Sequence, residues 1–337
     1  MSQIRKPPTM ADIARVTGVS PMTVSRAFKT DSLISKETRE AILQAAEDLG
    51  YVFDSTASNL RSQKTDFVAV TIPSLNNANF ADTVGGLSET LAQRNMQILL
   101  GYTNYDMAEE ERLIEQLLRR KPQGIVVTGG KHTPRARKLL ENAHIPVIET
   151  WDVPAEPIGN FVGFSNAGVV RDMVDHFVRA GYSRIAFIGG DVGRDTRGSD
   201  RRLGFLEAMK AHGLDTSRLI AAGPPPISMR EGANAMARLL AEFPDTEAVI
   251  CVSDLSAYGA LTECQRRGIC VPEQIAIGGF GAYEIGSICV PTLTTIDAQA
   301  RDIGRRTGAL LIDILDGKEE VGDVLIKPEL IVRESTR

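Results

Sequence analysis

The stretch that decides the fold of the amino-terminal region is MADIARVTGVSPMTVSR, residues 10–26. Thr9 is expected to cap a first helix, which ends at Gly18. Ser20 is a good N-cap for a second helix, because Pro21 at the first helical position lacks an N–H that the helix does not use. Two helices joined by a tight Gly-Val-Ser turn predict a helix-turn-helix.

The second helix, which runs to about Phe28, is expected to turn its polar face outward. Hydroxyl and guanidinium groups on such a face can reach phosphates and base edges. Alternatively, Thr23 and Ser25 only cap and solvate the helix. A third helix over 36–49, stopped by Gly50, completes this region. The candidate DNA-binding residues of the head are Ser20, Pro21, Met22, Thr23, Ser25, Arg26 and Lys29.

Composition indicates a soluble globular protein of two or three domains, because the 337 residues are 43% hydrophobic and 24% charged. The net charge of −5 is unevenly distributed. Residues 1–30 carry five basic groups and one acidic group, whereas the chain after residue 64 carries −7. A basic head on an acidic body is typical of an appended nucleic-acid module, although a solvated basic tail has the same charge pattern.

Several classes of protein are poor matches to the sequence. No stretch approaches the ~18 uninterrupted apolar residues of a membrane helix, and the first residues lack a signal peptide's apolar region, so we expect a cytoplasmic protein. The four cysteines form no CxxC pair and are expected to be packing thiols. The four histidines lack ligand spacing, so we expect no metal. Without dinucleotide, Walker or nucleophile-elbow motifs, we expect neither a cofactor nor an enzyme.

From Phe67 onward, apolar runs alternate with helical patterns, which predicts an α/β core of parallel sheets behind an all-α head. The alternation alone permits either one barrel or two doubly wound lobes. Between head and core, residues 51–64 are polar and small. They are interpreted as a linker with a short helix over 55–61, in which Leu60 is an isolated apolar residue.

The 10–26 stretch resembles the signature of the LacI/GalR repressors, through its spacing of Asp-Ile-Ala, Gly-Val-Ser and Thr-Val-Ser-Arg. The resemblance continues at 34–39, 49–51, 201–205, 253–254, 279–280 and 291–296. Within the family, the chain is most similar to the gluconate-operon repressors. That similarity lies at 75–77, 132–135, 162–164, 263–266 and 279–281.

The resemblance implies a homodimer or higher assembly, in which each chain has a helix-turn-helix head, a hinge helix and a core like a periplasmic sugar-binding protein. The domains would then be 1–50, 51–64 and 65–337. The core lobes would comprise 65–163 with 293–321, and 164–292 with 322–337. The chain would cross between lobes near Phe164, Thr292 and Val321.

The family roles place the second helix in the major groove of palindromic DNA. Pro21 and Met22 occupy the positions that read bases most variably, and Arg26 is the candidate for a guanine or phosphate contact. The hinge helix would wedge Leu60 into the minor groove, flanked by Asn59 and Arg61. Phe53 and Asp54 depart from the family's Pro-Asn before this helix, so its start is not defined by the pattern.

The family's effector cleft lies between the lobes, and an acidic sugar would suit Arg201, whose guanidinium offers two parallel donors to a carboxylate. Many family members carry an Asp at the position of Gly281, so its absence here favours an anionic ligand. Lys131 and Arg194 would add positive charge. Trp151 either stacks on a sugar or packs in the core. The implied effector residues are Phe80, Thr128, Trp151, Arg197, Arg201, Ser253, Asp254 and Gly281.

The function that these features favour is repression of sugar-acid catabolism genes, relieved when gluconate, a phosphogluconate or a keto-gluconate binds. Two other classes stay open from the sequence. One is a sugar-binding transport protein or a sugar-acid sensor without a DNA role. The other is a sugar-acid enzyme.

Overall fold

The computed structural model describes residues 6–28, 33–53, 65–190, 193–319 and 321–336. The chain divides into two compact units, Met1–Lys64 and Thr65–Arg337, which are called here the head and the core. Within the described residues, every helix is too short or too polar to cross a membrane.

The head contains three described helices, α1 (Met10–Thr17), α2 (Pro21–Ala27) and α3 (Lys36–Leu49). Their bounds follow the predicted ones because the caps are local, with Gly18 at φ 69° and Gly50 at φ 65° ending α1 and α3. The three helices bury a small apolar core of Ile13, Val24, Ala27, Ile42 and neighbouring alanines.

The first lobe of the core is built on a six-stranded parallel sheet. Its strands are β1 (Phe67–Ile72), β2 (Gln97–Tyr102), β3 (Ile125–Thr128), β4 (Val147–Thr150), β5 (Asn160–Gly163) and β11 (Val324–Leu325). Its helices are α4 (Ala78–Ala92), α5 (Met107–Leu118), α6 (Pro134–Glu141) and α12 (Ala300–Leu315). The strand order is β11-β5-β4-β3-β1-β2, so β2 is an edge strand.

The second lobe repeats this order with its own strands, as β12-β10-β9-β8-β6-β7. These strands are β6 (Ile185–Ile188), β7 (Leu219–Ile220), β8 (Ala248–Cys251), β9 (Ala276–Phe280), β10 (Thr294–Asp297) and β12 (Glu329–Ile331). The helices are α7 (Asn166–Arg179), α8 (Thr196–Ala211), α9 (Met229–Glu242), α10 (Asp254–Arg266) and α11 (Glu284–Ile288). Only β12 runs antiparallel to its neighbour.

The expected α/β class with two lobes is confirmed, and the single barrel is excluded. The first crossing follows β5, near Phe164 as expected. The second follows Asp297 rather than Thr292, because β10 pairs with β9 in the second lobe. The third follows Leu325 rather than Val321, because β11 pairs with β5 in the first lobe. Short strands at the crossings thus belong to the opposite lobe from the one predicted.

The cysteines, and the residue types that commonly bind metals, are dispersed through the described part of the core. Cys251 and Cys264 are buried thiols, but Cys270 is exposed, so the expectation that all four pack inside is wrong for Cys270. Among the described residues, no three His, Cys, Asp or Glu side chains are grouped so that they could hold a metal ion.

Candidate functional site

The helix α2 presents one face to solvent and buries the other. Its N-cap, Ser20, accepts a hydrogen bond from the Thr23 backbone N–H at 3.1 Å. Val24 and Ala27 are buried in the head, which fixes the rotation of the helix about its axis. The predicted DNA-binding residues on the other face are therefore exposed or half-buried, namely Ser20, Pro21, Met22, Thr23, Ser25 and Arg26.

Two of these residues, Ser20 and Thr23, also stabilise the start of the helix. The hydroxyl oxygens of Ser20 and Thr23 lie 2.9 Å apart, so both take part in the cap that the alternative interpretation proposed. Met22 is 58% exposed, which leaves an apolar side chain on the outward face. Lys29, Asn59, Leu60 and Arg61 lie outside the described residues.

A cavity of about 130 Å³ lies between the two lobes of the core. Most of its lining follows the carboxyl ends of strands in both sheets, which is where ligands bind in open parallel α/β sheets. The first lobe contributes Ser74, Asn76, Asn77, Asn79, Phe80, Tyr105 and Trp151. The second contributes Asp195, Arg197, Arg201, Pro225, Pro226, Ile227, Ser228, Val252, Ser253, Leu255, Phe280 and Tyr283. Five of the eight predicted effector residues are in this lining, namely Phe80, Trp151, Arg197, Arg201 and Ser253.

Arg201 is held in the cavity wall by the second lobe. Its Nε donates to Asn166 Oδ1 at 3.1 Å and its Nη1 donates to the Val252 carbonyl at 2.8 Å. The guanidinium lies 3.7 Å from the centre of the Phe280 ring, in a cation–π contact. Only 8% of the residue is exposed, and burial lowers the pKa of Arg201. These contacts fix its orientation and leave Nη2 without a hydrogen bond to any described residue.

Arg197 is the second buried cation of the cavity, 5% exposed. Its Nη1 donates across the lobes to the Thr128 carbonyl at 3.2 Å, and its guanidinium lies 5.7 Å from the Phe80 ring centre. Among the described residues, no carboxylate lies within the 4.0 Å ion-pair distance of Arg197 or Arg201. Asp195, which lines the same cavity, caps α8 through the Gly198 N–H.

Aromatic rings form the wall on the first lobe and continue through the crossing. Phe80 and Trp151 are 5.5 Å apart between centroids, and Trp151 and Phe164 are 5.9 Å apart. Trp151 is 2% exposed, and its Nε1 donates to Thr83 Oγ1 at 3.1 Å. Trp151 therefore packs in the core, as one interpretation expects. It also lines the cavity, as the other interpretation requires.

Three predicted effector residues lie outside this lining. Thr128 lines a smaller neighbouring cavity, which also contains Lys131, Arg194 and Arg197. Asp254 is fully buried beneath the cavity and hydrogen-bonded to protein groups. Gly281 borders an open groove on the far side of Asn79.

The structure leaves no room for a side chain at Gly281. A Cβ at Gly281 would lie 2.7 Å from Asn79 Nδ2 and 2.6 Å from the Tyr283 ring, so other side chains already fill that space. The residue also has φ 122°, a conformation that favours glycine.

Lys131 and Arg194 lie at the rim and make bonds between the lobes. Lys131 Nζ lies 2.7 Å from Asp200 Oδ1, and Arg194 donates to the Asn104 carbonyl at 2.8 Å. Glu149, a carboxylate close in sequence to Trp151, is not among the residues that line the cavity. It lies fully buried in the first lobe, where its Oε1 is 3.5 Å from His132 Nε2.

Apart from Ser253, sequence reasoning missed the neutral hydrogen-bonding groups of the cavity. Asn79 is 6% exposed, and its side-chain amide makes no hydrogen bond to a described residue. Burial raises the pKa of Tyr105 to about 12, so this phenol stays protonated as a donor. Tyr283 donates from its hydroxyl to Asn77 Oδ1 at 2.6 Å. The asparagine cluster at 76–79, at the start of α4, was a usable signal, whereas the two tyrosines had none.

Comparisons with known proteins agree with this architecture. The model of bacterial regulatory proteins of the lacI family matches residues 9–54, and that of a periplasmic binding protein-like domain matches residues 174–336. The transcriptional regulator GntR of Pseudomonas aeruginosa is 35% identical over 98% of this chain and 96% of its own. The transcriptional regulator IdnR of Escherichia coli is 34% identical over 90% of this chain and 91% of its own.

A solved LacI-family regulator from Silicibacter pomeroyi matches this structure with a TM-score of 0.91 and 31% identity, covering 98% of this chain and 99% of that one. The chain therefore belongs to the LacI family of DNA-binding transcriptional regulators. Because members of this family regulate transcription and are not enzymes, the expectation of a non-enzyme is confirmed and the transport interpretation is set aside.

Proposed function

We propose that this chain is a homodimeric repressor of sugar-acid catabolism genes, and that a small anionic sugar such as gluconate releases it from a palindromic operator. The ligand would bind in the cavity between the two lobes. Its carboxylate would lie against Arg201, with Arg197 adding positive charge.

The observation that carries the proposal is the pair of buried guanidiniums, Arg197 and Arg201, that have no carboxylate of the described residues within ion-pair distance. A buried charge is costly unless it is paired and hydrogen-bonded. A ligand carboxylate would supply that partner to Arg201 Nη2, and a charge-assisted hydrogen bond is about twice as strong as a neutral one. A neutral sugar would leave both cations unpaired.

The rest of the cavity suits the hydroxylated part of a sugar acid. Asn76, Asn77 and Asn79 bring amide groups, and Tyr105 brings a protonated phenol. The Phe80 and Trp151 rings offer apolar surface to C–H groups, as mostly apolar ligand sites with a few polar groups do. The resemblance of the sequence to the gluconate-operon repressors supports the same ligand class, and the likeness to GntR and IdnR supports a role in regulating transcription.

The DNA part of the proposal rests on α2. Its outward face carries hydroxyls, the apolar Met22 and the guanidinium of Arg26, and a recognition helix reads the major groove with such groups. In this proposal Arg26 contacts a guanine or phosphate, while Pro21 and Met22 make apolar base contacts. Leu60, with Asn59 and Arg61 beside it, would enter the minor groove.

The homodimer is supported by apolar surface at the edge of the first lobe. Leu100 and Tyr102 on the edge strand β2 are 39% and 41% exposed, and the nearby loop residue Leu75 is 58% exposed. Unpaired edge strands with apolar side chains favour pairing with another chain. A two-fold dimer would present two heads to the two half-sites of a palindrome.

The experiment is a pair of titrations. Fluorescence anisotropy of labelled operator DNA measures release, while the fluorescence of Trp151, the single tryptophan of the chain, reports ligand binding. Gluconate, 6-phosphogluconate and a keto-gluconate are compared with neutral glucose, which we expect to be inactive. Release by glucose at the concentrations at which gluconate acts, or no binding by any sugar acid, would overturn the effector assignment.

The Arg26→Ala variant tests the DNA assignment separately. It should weaken operator binding by about 1–3 kcal/mol, the range for one good side-chain contact to a base, and leave the gluconate titration unchanged. Arg15→Ala, which removes an exposed arginine from α1, is the matched control. Operator affinity that is equal in both variants and in the unmodified chain would contradict the assignment.

A further inference from the structure

Asp254 is a fully buried carboxylate that the proposed ligand binding does not use. It is the first residue of α10 and follows the cavity-lining Ser253. One oxygen, Oδ1, accepts a hydrogen bond from the Thr295 hydroxyl at 2.6 Å, and Oδ2 accepts one from the Tyr283 backbone N–H at 2.8 Å. Burial raises the pKa of Asp254 to about 6, which reflects how unfavourable the site is for a charge.

The surrounding backbone is shaped to admit this carboxylate. A Cβ at Gly279 would lie 2.1 Å from Asp254 Oδ1, so no larger residue fits there. Both bonds of Asp254 lead to the loop between β9 and α11, because the Thr295 hydroxyl also accepts from the Ala282 N–H at 3.2 Å. Ala282 has φ 51°, a strained conformation for a residue with a side chain. Asp254 therefore holds a strained loop at two successive backbone amides, one directly and one through Thr295.

The loop carries one side chain across to the other lobe. The Tyr283 hydroxyl donates to Asn77 Oδ1 at 2.6 Å, and the same oxygen accepts from the Asn79 N–H at 3.0 Å as the N-cap of α4. Tyr283 is 7% exposed, so this bond between the lobes is shielded from water. A continuous series of contacts thus joins Asp254 in the second lobe to the N-terminus of α4 in the first.

We propose that Asp254 is a positioning residue for the effector response: it holds the 281–283 loop so that the Tyr283 hydroxyl ties the second lobe to the N-terminus of α4. Asp254 itself does not touch the ligand. The inference rests on the proposed function, because the ligand would lie against the cavity faces of Tyr283 and Asn79 that this tie aligns.

A double-mutant cycle in gluconate affinity, measured by Trp151 fluorescence, tests whether Asp254 acts through that hydroxyl. Asp254→Ala should weaken affinity about three- to tenfold, the worth of one neutral hydrogen bond. Asp254→Asn should stay within about twofold of the unmodified chain, because its amide oxygen still accepts from the Tyr283 N–H. In a Tyr283→Phe background, Asp254→Ala should have less than about a twofold further effect. Equal weakening in both backgrounds would mean that Asp254 only stabilises the fold, and would overturn the inference.

Hydrogen–deuterium exchange on the ligand-free protein gives a readout that needs no effector. Asp254→Ala should raise exchange in residues 281–288, which comprise the loop and α11, and also across the lobes, in 77–83, whereas the exposed Asp172→Ala control should change neither. An increase confined to 281–288 would overturn the inference. If the unmodified chain fails to bind gluconate, the proposed ligand is wrong while the exchange result still decides the role of Asp254. Should Asp254→Ala fail to fold, Thr295→Val removes one of its two donors and carries the same expectations.

Discussion

The two lobes of the core have the same strand order but contribute different chemistry to the cavity between them. The lining from the first lobe is uncharged, consisting of hydroxyl and amide groups, aromatic rings and a phenol. All charged groups of the lining come from the second lobe, namely Asp195, Arg197 and Arg201. Since the topology is shared, the difference lies in the segments after the strands. In the proposed function, the second lobe would select the charge of the ligand, and the first lobe would contact its neutral part.

The largest expected effect is that of Arg201→Ala on ligand binding. Truncating one partner of a buried charge pair costs about 2–5 kcal/mol, so gluconate affinity should fall about 30-fold or more. Operator affinity without ligand should be unchanged. Calorimetry on this variant and on Arg202→Ala, which alters the adjacent arginine outside the cavity lining, checks the prediction. Unchanged gluconate affinity in Arg201→Ala would contradict the assignment of charge selection to the second lobe.

The first lobe also buries charges, but it uses them in its own packing. His132 Nδ1 lies 3.0 Å from Glu110 Oε2, and Nε2 lies 3.5 Å from Glu149 Oε1. Burial lowers the pKa of His132, but the two carboxylates outweigh it and raise the pKa to about 9. Because the folded-state pKa is raised, the stabilisation is fully present below about pH 6.5 and is lost as pH rises through about 9.

His132→Gln should therefore lower the free energy of unfolding at pH 7 by about 2–3 kcal/mol, at about 1.4 kcal/mol per pKa unit. Urea unfolding at pH 7 and at pH 10 checks this, because the difference between variant and unmodified chain should shrink at pH 10. Gluconate affinity should change little. A difference that is constant with pH would mean that His132 is not charged in the folded protein.

A smaller effect is expected for the neutral contacts of the first lobe. Asn79→Ala removes one amide and should weaken gluconate binding about two- to tenfold, as expected for a neutral hydrogen bond. Titration of Trp151 fluorescence measures it. A loss of gluconate affinity as large as that expected for Arg201→Ala would contradict the proposal that one lobe recognises the charge of the ligand and the other its neutral part.

The smallest effect is expected at the rim, where Lys131 pairs with Asp200 between the lobes. An exposed ion pair contributes about 0–1 kcal/mol, so Lys131→Met should weaken gluconate binding about fivefold or less. The difference in gluconate affinity between Lys131→Met and the unmodified chain should vanish in high salt, because salt screens the interaction between exposed charges. Lys138→Met, on the exposed side of α6, is the control. A difference that persists at 1 M salt would indicate another role for Lys131.

The head could be predicted almost residue by residue because its signals are local. Ser20 before α2, Ser35 before α3 and Gly50 after α3 are caps, and a cap acts on the neighbouring turn whatever the tertiary structure. Some equally local signals in the core were overlooked. The Ser228–Glu231 capping box starts α9, and Thr133 caps α6 through the Ala136 N–H.

Other parts of the core were not predictable from local pattern. The strands β7 and β11 have two residues each, too few for any periodicity, and they exist because a neighbouring strand supplies their hydrogen bonds. The second and third crossings were misplaced for the same reason, because β10 and β11 each belong to the lobe of the strand with which they pair. The family resemblance implies Asp254 at or near the cleft, but its carboxylate lies in the space beside Gly279, beneath the loop.

The sequence by itself determined the class of this protein, its outward recognition helix and its alternating core, because caps, periodicity and a family signature act over a few residues. Only the tertiary structure decided which side chains meet in the cavity. Asn79, Tyr105, Arg201 and Tyr283 come from distant segments. Their proximity depends on how two separately wound sheets face each other, and no local pattern encodes that arrangement.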